Sequence, residues 1–213
     1  MDGLLGRKLG MTQVYSASGE QVPVTVLEVG PCVVLQKKTK TSDGYDAVQL
    51  GYIDRKASRA SKACAGHCQK AGTGPKRVLK EFRGPGAEAA KAGETLTAAI
   101  FMGVEFVDVQ GVSKGLGFQG VVKRYRMSGG PMTHGGHSKR RVGSIGCRSY
   151  PGRVHKNKRM PGQTGHEVVT QQNLRVVAVR PEDNLLLVNG AVPGPVGGML
   201  VVRKALKKAK QAS

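Results

Sequence analysis

Gln21-Val22-Pro23-Val24-Thr25-Val26-Leu27-Glu28-Val29-Gly30-Pro31-Cys32-Val33-Val34-Leu35-Gln36-Lys37-Lys38-Thr39 is two runs rich in Val, Thr and Leu, parted by a Gly-Pro turn signal. Working outward, residues 11–15, 45–53, 94–101 and 104–110 carry the same composition, and Ser18-Gly19 and Asp43-Gly44 supply further turns. After a long interruption the pattern resumes at 167–179, 184–189 and 199–204. Short strands at this spacing, with few helical stripes, predict a mainly β chain folded as a closed or nearly closed antiparallel barrel. One excursion, 55–93, is richer in Ala, Lys and Gly and is expected to form a small irregular subdomain on the barrel. Within it Val78, Leu79 and Phe82 fall at helical spacing, which allows one short helix.

The interruption is the second informative stretch. Between Asp108 and Glu167 lie 58 residues without a carboxylate, holding twelve Lys or Arg, four of the five histidines and thirteen glycines. The cations are Lys114, Lys123, Arg124, Arg126, Lys139, Arg140, Arg141, Arg148, Arg153, Lys156, Lys158 and Arg159. With no acid to neutralise it, the segment repels itself in isolation. A connection of this length without secondary structure of its own is uncommon in a compact domain and is usually functional or disordered. The expected organisation is therefore a barrel body from 1–110 and 167–213, with 111–166 inserted between strands as a basic, Gly-rich extension that projects from it.

Charge points to the partner. A formal +20 on 213 residues, with a pI near 10.2, marks a binder of nucleic acid or an anionic surface rather than of a small-molecule substrate. A membrane is the weaker partner, because no stretch approaches the ~18 apolar residues that span a bilayer. The start, Met1-Asp2-Gly3-Leu4-Leu5-Gly6-Arg7-Lys8, lacks the apolar run of a signal peptide, so a cytoplasmic location is expected.

Other chemistry lacks material. Cysteines 32, 64, 68 and 147 follow no disulfide-framework spacing and read as reduced thiols. Cys64-Ala65-Gly66-His67-Cys68 offers two or three zinc ligands, but no second Cys/His pair lies at a zinc-finger distance, and no metal is expected. Gly115-Leu116-Gly117-Phe118-Gln119-Gly120 matches a dinucleotide fingerprint, yet Gly129-Gly130-Pro131 would stop its helix early and no acid follows before Glu167 to hold a ribose. No cofactor is expected. The histidines of the window have no carboxylate to pair with, so general acid/base catalysis is not expected either.

RNA is favoured over DNA by the form of the window. A Gly-rich, non-helical extension cannot fill a major groove as a recognition helix does, but it can thread between RNA helices and contact phosphates and 2′-hydroxyls. Aromatic content is 4% with no Trp, so phosphate neutralisation should outweigh base stacking. Tyr125 and Tyr150 are the candidate exceptions, and Tyr125 has packing at the base of the extension as its alternative. Two other readings stand beside an RNA-binding structural protein: a nucleic-acid-modifying enzyme, and a free-standing RNA chaperone or DNA-architectural protein. The first needs a cofactor or metal pocket, and the second binds promiscuously.

Several long motifs in order carry a resemblance. Gly6-Arg7-Lys8-Leu9-Gly10-Met11-Thr12, Ser113-Lys114-Gly115-Leu116-Gly117-Phe118-Gln119-Gly120, Gly143-Ser144-Ile145-Gly146, Pro151-Gly152-Arg153-Val154, Met160-Pro161-Gly162-Gln163 and Asn184-Leu185-Leu186-Leu187-Val188-Asn189-Gly190-Ala191-Val192-Pro193-Gly194 resemble the bacterial-type large-subunit ribosomal protein L-three family. The resemblance covers essentially the whole chain. It implies a translation-protein-type β-barrel bound to large-subunit rRNA and contacting neighbouring large-subunit ribosomal proteins. It also implies a role early in subunit assembly and an extension reaching toward the peptidyl-transferase centre. By position the innermost loop corresponds to about 143–159, with Arg148, Ser149 and Tyr150 near its tip. Ser149 stands where some relatives carry a methylated glutamine, so that modification should be absent. The expected rRNA contacts are the twelve cations together with His134, His137, His155, Ser149 and Tyr150.

Overall fold

A computed structural model describes residues 2–84 and 90–208. The fold is mainly β and contains a closed barrel of six antiparallel strands. These are β1 (Gly3–Tyr15), β2 (Gln21–Val29), β7 (Phe106–Val112), β10 (Val168–Arg180), β11 (Leu185–Asn189) and β12 (Met199–Lys204). Around the barrel the order is β1-β12-β7-β10-β11-β2, with β2 returning to β1. Most of its closure is non-local: Leu5 lies opposite Val201, and Val112 lies opposite Val168.

The strands between β2 and β7 do not enter the barrel, which corrects the expectation of one barrel made from all of them. β3 (Cys32–Lys38), β4 (Ala47–Asp54), β5 (Lys76–Phe82) and the two-residue β6 (Thr95–Leu96) form a separate four-stranded sheet in the order β5-β4-β3-β6. Leu4, Leu27, Val107, Val109, Leu186 and Val202 from the barrel share one buried cluster with Val34, Val48, Leu50 and Phe82 from the sheet. That cluster is the core, and burial of each such side chain contributes about 1.5–3 kcal/mol.

Two further expectations are corrected here. Residues 76–82 form strand β5, not a helix, because they pair along β4 with Tyr52 opposite Val78 and Val48 opposite Phe82. The alternation that pairing requires sends Phe82 into the core and leaves Leu79 exposed. Of 94–101, only Thr95–Leu96 is strand, and Ala98–Phe101 is a 3-10 turn that buries Phe101. The 55–93 excursion is accordingly less irregular than expected, since it supplies β5 and the helix α2 (Lys62–Gln69); its residues 85–89 lie outside the described set, as do 209–213 of the tail. A shorter helix, α1, spans Lys40–Asp43.

Several polar groups inside this body are partnered locally, although the Tyr52 hydroxyl is buried without a hydrogen-bond partner among the described residues. Lys8 is buried and its ammonium donates to the Val192 carbonyl at 2.9 Å, tying β1 to the loop before β12. Lys38 meets Glu81 at 2.9 Å and the Tyr45 hydroxyl at 2.9 Å. The Tyr45 hydroxyl in turn donates to Glu81 at 2.9 Å, and the hydrogen bonds from Lys38 and Tyr45 hold the Glu81 carboxyl below its ordinary range, the one from Lys38 contributing most. Burial pushes the Cys32 thiol up to about 12, which keeps it protonated.

Candidate nucleic-acid interface

By its internal contacts the chain divides into two compact units, 1–112 with 168–213, and Ser113–Glu167. The second unit contains every residue expected to touch rRNA. Its two ends are joined by a hydrogen bond from the Ser113 amide to the Glu167 carbonyl, 2.9 Å, and from the Glu167 amide to the Ser113 hydroxyl, 3.2 Å. Next comes a short ladder of β8 (Gly117–Gln119) with β9 (Gly162–Thr164), where Phe118 faces Gln163. Gly165, at φ +74°, backs so closely onto the Lys114 carbonyl that any side chain would collide with it.

A five-residue helix, α3 (Val121–Tyr125), follows β8. It ends at Arg126, whose φ of +58° breaks the helical path before the Gly129-Gly130 pair is reached. The dinucleotide fingerprint therefore opens onto a strand and one helical turn, too short to give the aligned dipole that a pyrophosphate site needs. Beyond α3 the backbone runs to Gly162 in turns and bends. It is held by cross-links such as the Gly130 amide to the Lys139 carbonyl, 2.9 Å.

The electrostatics are one-sided. Eleven of the twelve cations are exposed and Arg124 is half-buried. None of the four ion pairs among the described residues includes any of them. Arg124 is committed to the unit's own structure: its guanidinium donates to the Met160 carbonyl at 2.9 Å and lies 5.0 Å from the centre of the Tyr125 ring. Arg159 lies 5.6 Å from the same ring on the far side of the sequence. Tyr125 thus packs within the unit against two arginines, in cation–π contacts that are stronger when partly desolvated.

The tip is open. Arg148, Ser149 and Tyr150 are all exposed, Tyr150 at 88%. Arg153, Val154, His155 and Lys156 line a recess of about 520 Å³. His134 and His137 are exposed on the turn around Gly135-Gly136. Phe118 is 75% exposed on β8 and adds an aromatic surface to those of Tyr125 and Tyr150; its signal in the sequence is a ring set among glycines in a basic stretch. Elsewhere, the candidate zinc residues are absorbed by packing. Cys68 of α2 is buried against Val33 and Leu35, and His67 bonds Gln49 of β4 at 2.5 Å.

An open, carboxylate-poor surface of this kind, on a unit with Val121 as its one buried apolar residue among those described, is suited to a polyanion. Comparison with known proteins agrees with the motifs. The profile of the family described as Ribosomal protein L3 matches residues 82–184. The large ribosomal subunit protein uL3 of Alkaliphilus metalliredigens is 51% identical over 210 residues, covering 99% of this chain and 100% of that protein. The chain belongs to the ribosomal protein L3 family. The uL3 proteins of Geobacillus kaustophilus, 50% identical over 210 residues, and of Geotalea daltonii, 47% over 208, also align over nearly their full lengths. Members of the family are structural ribosomal proteins and not enzymes. No helix among the described residues is long and apolar enough to cross a membrane.

Proposed function

We propose that the protein is a structural component of the large ribosomal subunit in the cytoplasm, and that Ser113–Glu167 binds large-subunit rRNA. In this reading it aids early assembly of the subunit and shapes RNA near the peptidyl-transferase centre, with neighbouring large-subunit proteins as its other partners. The observation that carries it is the set of exposed, acid-free cations of this unit, Lys139, Arg140, Arg141, Arg148, Arg153, Lys156, Lys158 and Arg159 among them. Phosphate oxygens satisfy such a set, while a Gly-rich backbone, lacking side chains at those positions, lets it approach closely. Lys114, Lys123, Arg126, His134, His137 and His155 extend the same contact surface. Arg124 acts by positioning, through Met160 and Tyr125. Ser149 and Tyr150 sit at the tip, and Phe118 adds a ring for stacking on an unpaired base.

Footprinting on whole large-subunit rRNA, with duplex DNA as competitor at physiological salt, tests the reading. Discrete protected nucleotides that persist under competition are expected. Uniform weak protection, erased by DNA, would identify a promiscuous binder instead. At the tip, Arg148→Ala or Tyr150→Ala should leave incorporation into subunits nearly intact while changing peptidyl transfer per assembled particle. Fewer finished subunits with normal activity each would assign the tip to assembly alone.

A further inference from the structure

The cations of Ser113–Glu167 do not all sit on the same kind of backbone. At the base of the unit the two chain ends are joined by bonds between residues far apart in sequence: the Ser113 amide to the Glu167 carbonyl, the Leu116 amide to the Thr164 carbonyl at 2.9 Å, and the β8–β9 ladder. Val121, 1% exposed, is buried just after β8. The Arg124 guanidinium then reaches across 36 positions to the Met160 carbonyl. From 126 to 158 the backbone bonds are short-range, Gly136 to Thr133, Arg141 to Ser138 and Lys158 to His155, with Gly130 to Lys139 the longest. That stretch has no helix, no strand and no buried residue, and it carries eight of the twelve cations.

Arg124 is the last long-range tie before it, and the surroundings are shaped to receive the side chain. Its guanidinium lies over Gly162, the first residue of β9, so closely that a Cβ there would take its place. Met160 and Tyr125 are half-buried beside it, the Tyr125 ring 5.0 Å from Arg124 and 5.6 Å from Arg159. One guanidinium thus ties α3 to the start of β9 by a hydrogen bond, a ring contact and a missing side chain. Arginines meant for phosphate leave their fork of donors to solvent, as the exposed Arg148 and Arg153 do.

We propose that Arg124 is the clasp of a prefolded stem, 113–125 with 159–167, so that RNA orders only the head, 126–158. This deepens the reading of the unit as rRNA-binding and rests on it for the effect on affinity. The clasp fixes the spacing at which the two legs of the head leave the stem. When it opens, the population competent to bind falls, and apparent affinity falls by the same factor. Arg124 is then a positioning residue, acting on RNA through the backbone it holds. Salt separates this role from that of a counter-ion: losing a phosphate contact makes the log–log slope shallower by about 0.7–0.9, while losing positioning leaves it unchanged.

Amide hydrogen exchange on the native, RNA-free full chain is the first test. The Leu116 and Arg124 amides, bonded to Thr164 and Gly120, should be protected, while those of Gly136 and Lys158 exchange as in an open chain. Equal exchange in stem and head overturns the proposal. Arg124→Gln and Gly162→Ala then open the clasp from either side, the second without removing a charge. Both should lose the protection of Leu116, keep the circular dichroism of the native barrel, and bind large-subunit rRNA about tenfold more weakly with an unchanged salt slope. A shallower slope for Arg124→Gln, with Gly162→Ala binding as the native chain does, would make Arg124 a phosphate ligand and overturn the clasp. So would loss of stem protection in both variants with rRNA affinity unchanged, since the tie would then serve the fold alone. Exchange is measured without RNA, so a native chain with a protected stem but no discrete rRNA footprint counts against the proposed function alone.

Discussion

The barrel unit and Ser113–Glu167 are built on opposite accounts of what holds a chain in place. The first buries Leu4, Leu27, Leu50, Phe101, Leu186 and Leu200 almost completely and pairs its strands over long ladders. The second has Val121 as its one buried apolar residue among those described, and its ladder is three pairs long. A core offsets the conformational entropy of folding, on the order of 1–2 kcal/mol per residue for the backbone; a few cross-links and one buried valine do not. The charges invert the same contrast. In the barrel unit Lys38, Lys40 and Lys76 sit against Glu81, Asp46 and Asp54, whereas none of the second unit's twelve cations has a carboxylate partner among the described residues. Stability and readiness for a polyanion are thus assigned to different parts of one chain.

The sharpest way to break this comparison is to cut a side chain from each part. Leu186→Ala, in the barrel core, should destabilise the protein by about 2–5 kcal/mol, while Ile145→Ala, at a 42% exposed position, should change stability by no more than about 0.5 kcal/mol. Denaturant titration of both variants compares them directly, and equal losses would mean that the second unit shares the cooperative core. Limited proteolysis of the RNA-free protein should cut first between 125 and 160, with the barrel fragments surviving. Early cleavage in β1 or β12 would reverse the assignment.

A smaller effect concerns salt. Replacing Lys156, Lys158 and Arg159 by Ala should make the log–log dependence of rRNA affinity on salt shallower by about 0.7–0.9 per phosphate contact removed. An unchanged slope would show those side chains to be merely solvated.

The smallest effect belongs to Glu81. Its folded carboxyl titrates below the ordinary 4.5 because Lys38 and Tyr45 hydrogen-bond its charged form. The stability this contributes is fully present above the unfolded value and is lost as pH falls through the folded one. Glu81→Gln should therefore flatten the acid side of the stability profile, measured as denaturation midpoints from neutral pH downward. A profile as steep as the parent's would remove Glu81 from the account.

What was legible in the sequence follows the range of the forces involved. Strands 21–29 and 199–204 were readable to the residue because alternation and turn signals are local. The division of strands between barrel and sheet was not, since β1 meets β12 across most of the chain and β7 meets β10 across the whole of 113–167. β5 was misread because Val78, Leu79 and Phe82 satisfy a helical spacing and the strand shows itself only through β4. At the candidate interface the cations were legible, charge being a property of composition. Which of them the protein keeps for itself was not: Arg124 is distinguished from Lys123 by the Met160 carbonyl, distant in sequence, and by the Tyr125 ring. The 75% exposure of the Phe118 ring was not legible either, because it is set by the fold and not by composition.

Val112 and Val168 are directly opposite partners on β7 and β10, and this has a consequence for how such a chain can change. Everything between them is, topologically, the loop of a single hairpin. The barrel ladder is complete without it, and the entropic cost of closing a longer loop rises by only about 0.6 kcal/mol per doubling of its length. Insertions and deletions within 113–167 therefore leave the register of the strands untouched. A lineage can lengthen, trim or recharge this stretch to follow a changing RNA while the scaffold underneath stays as it is.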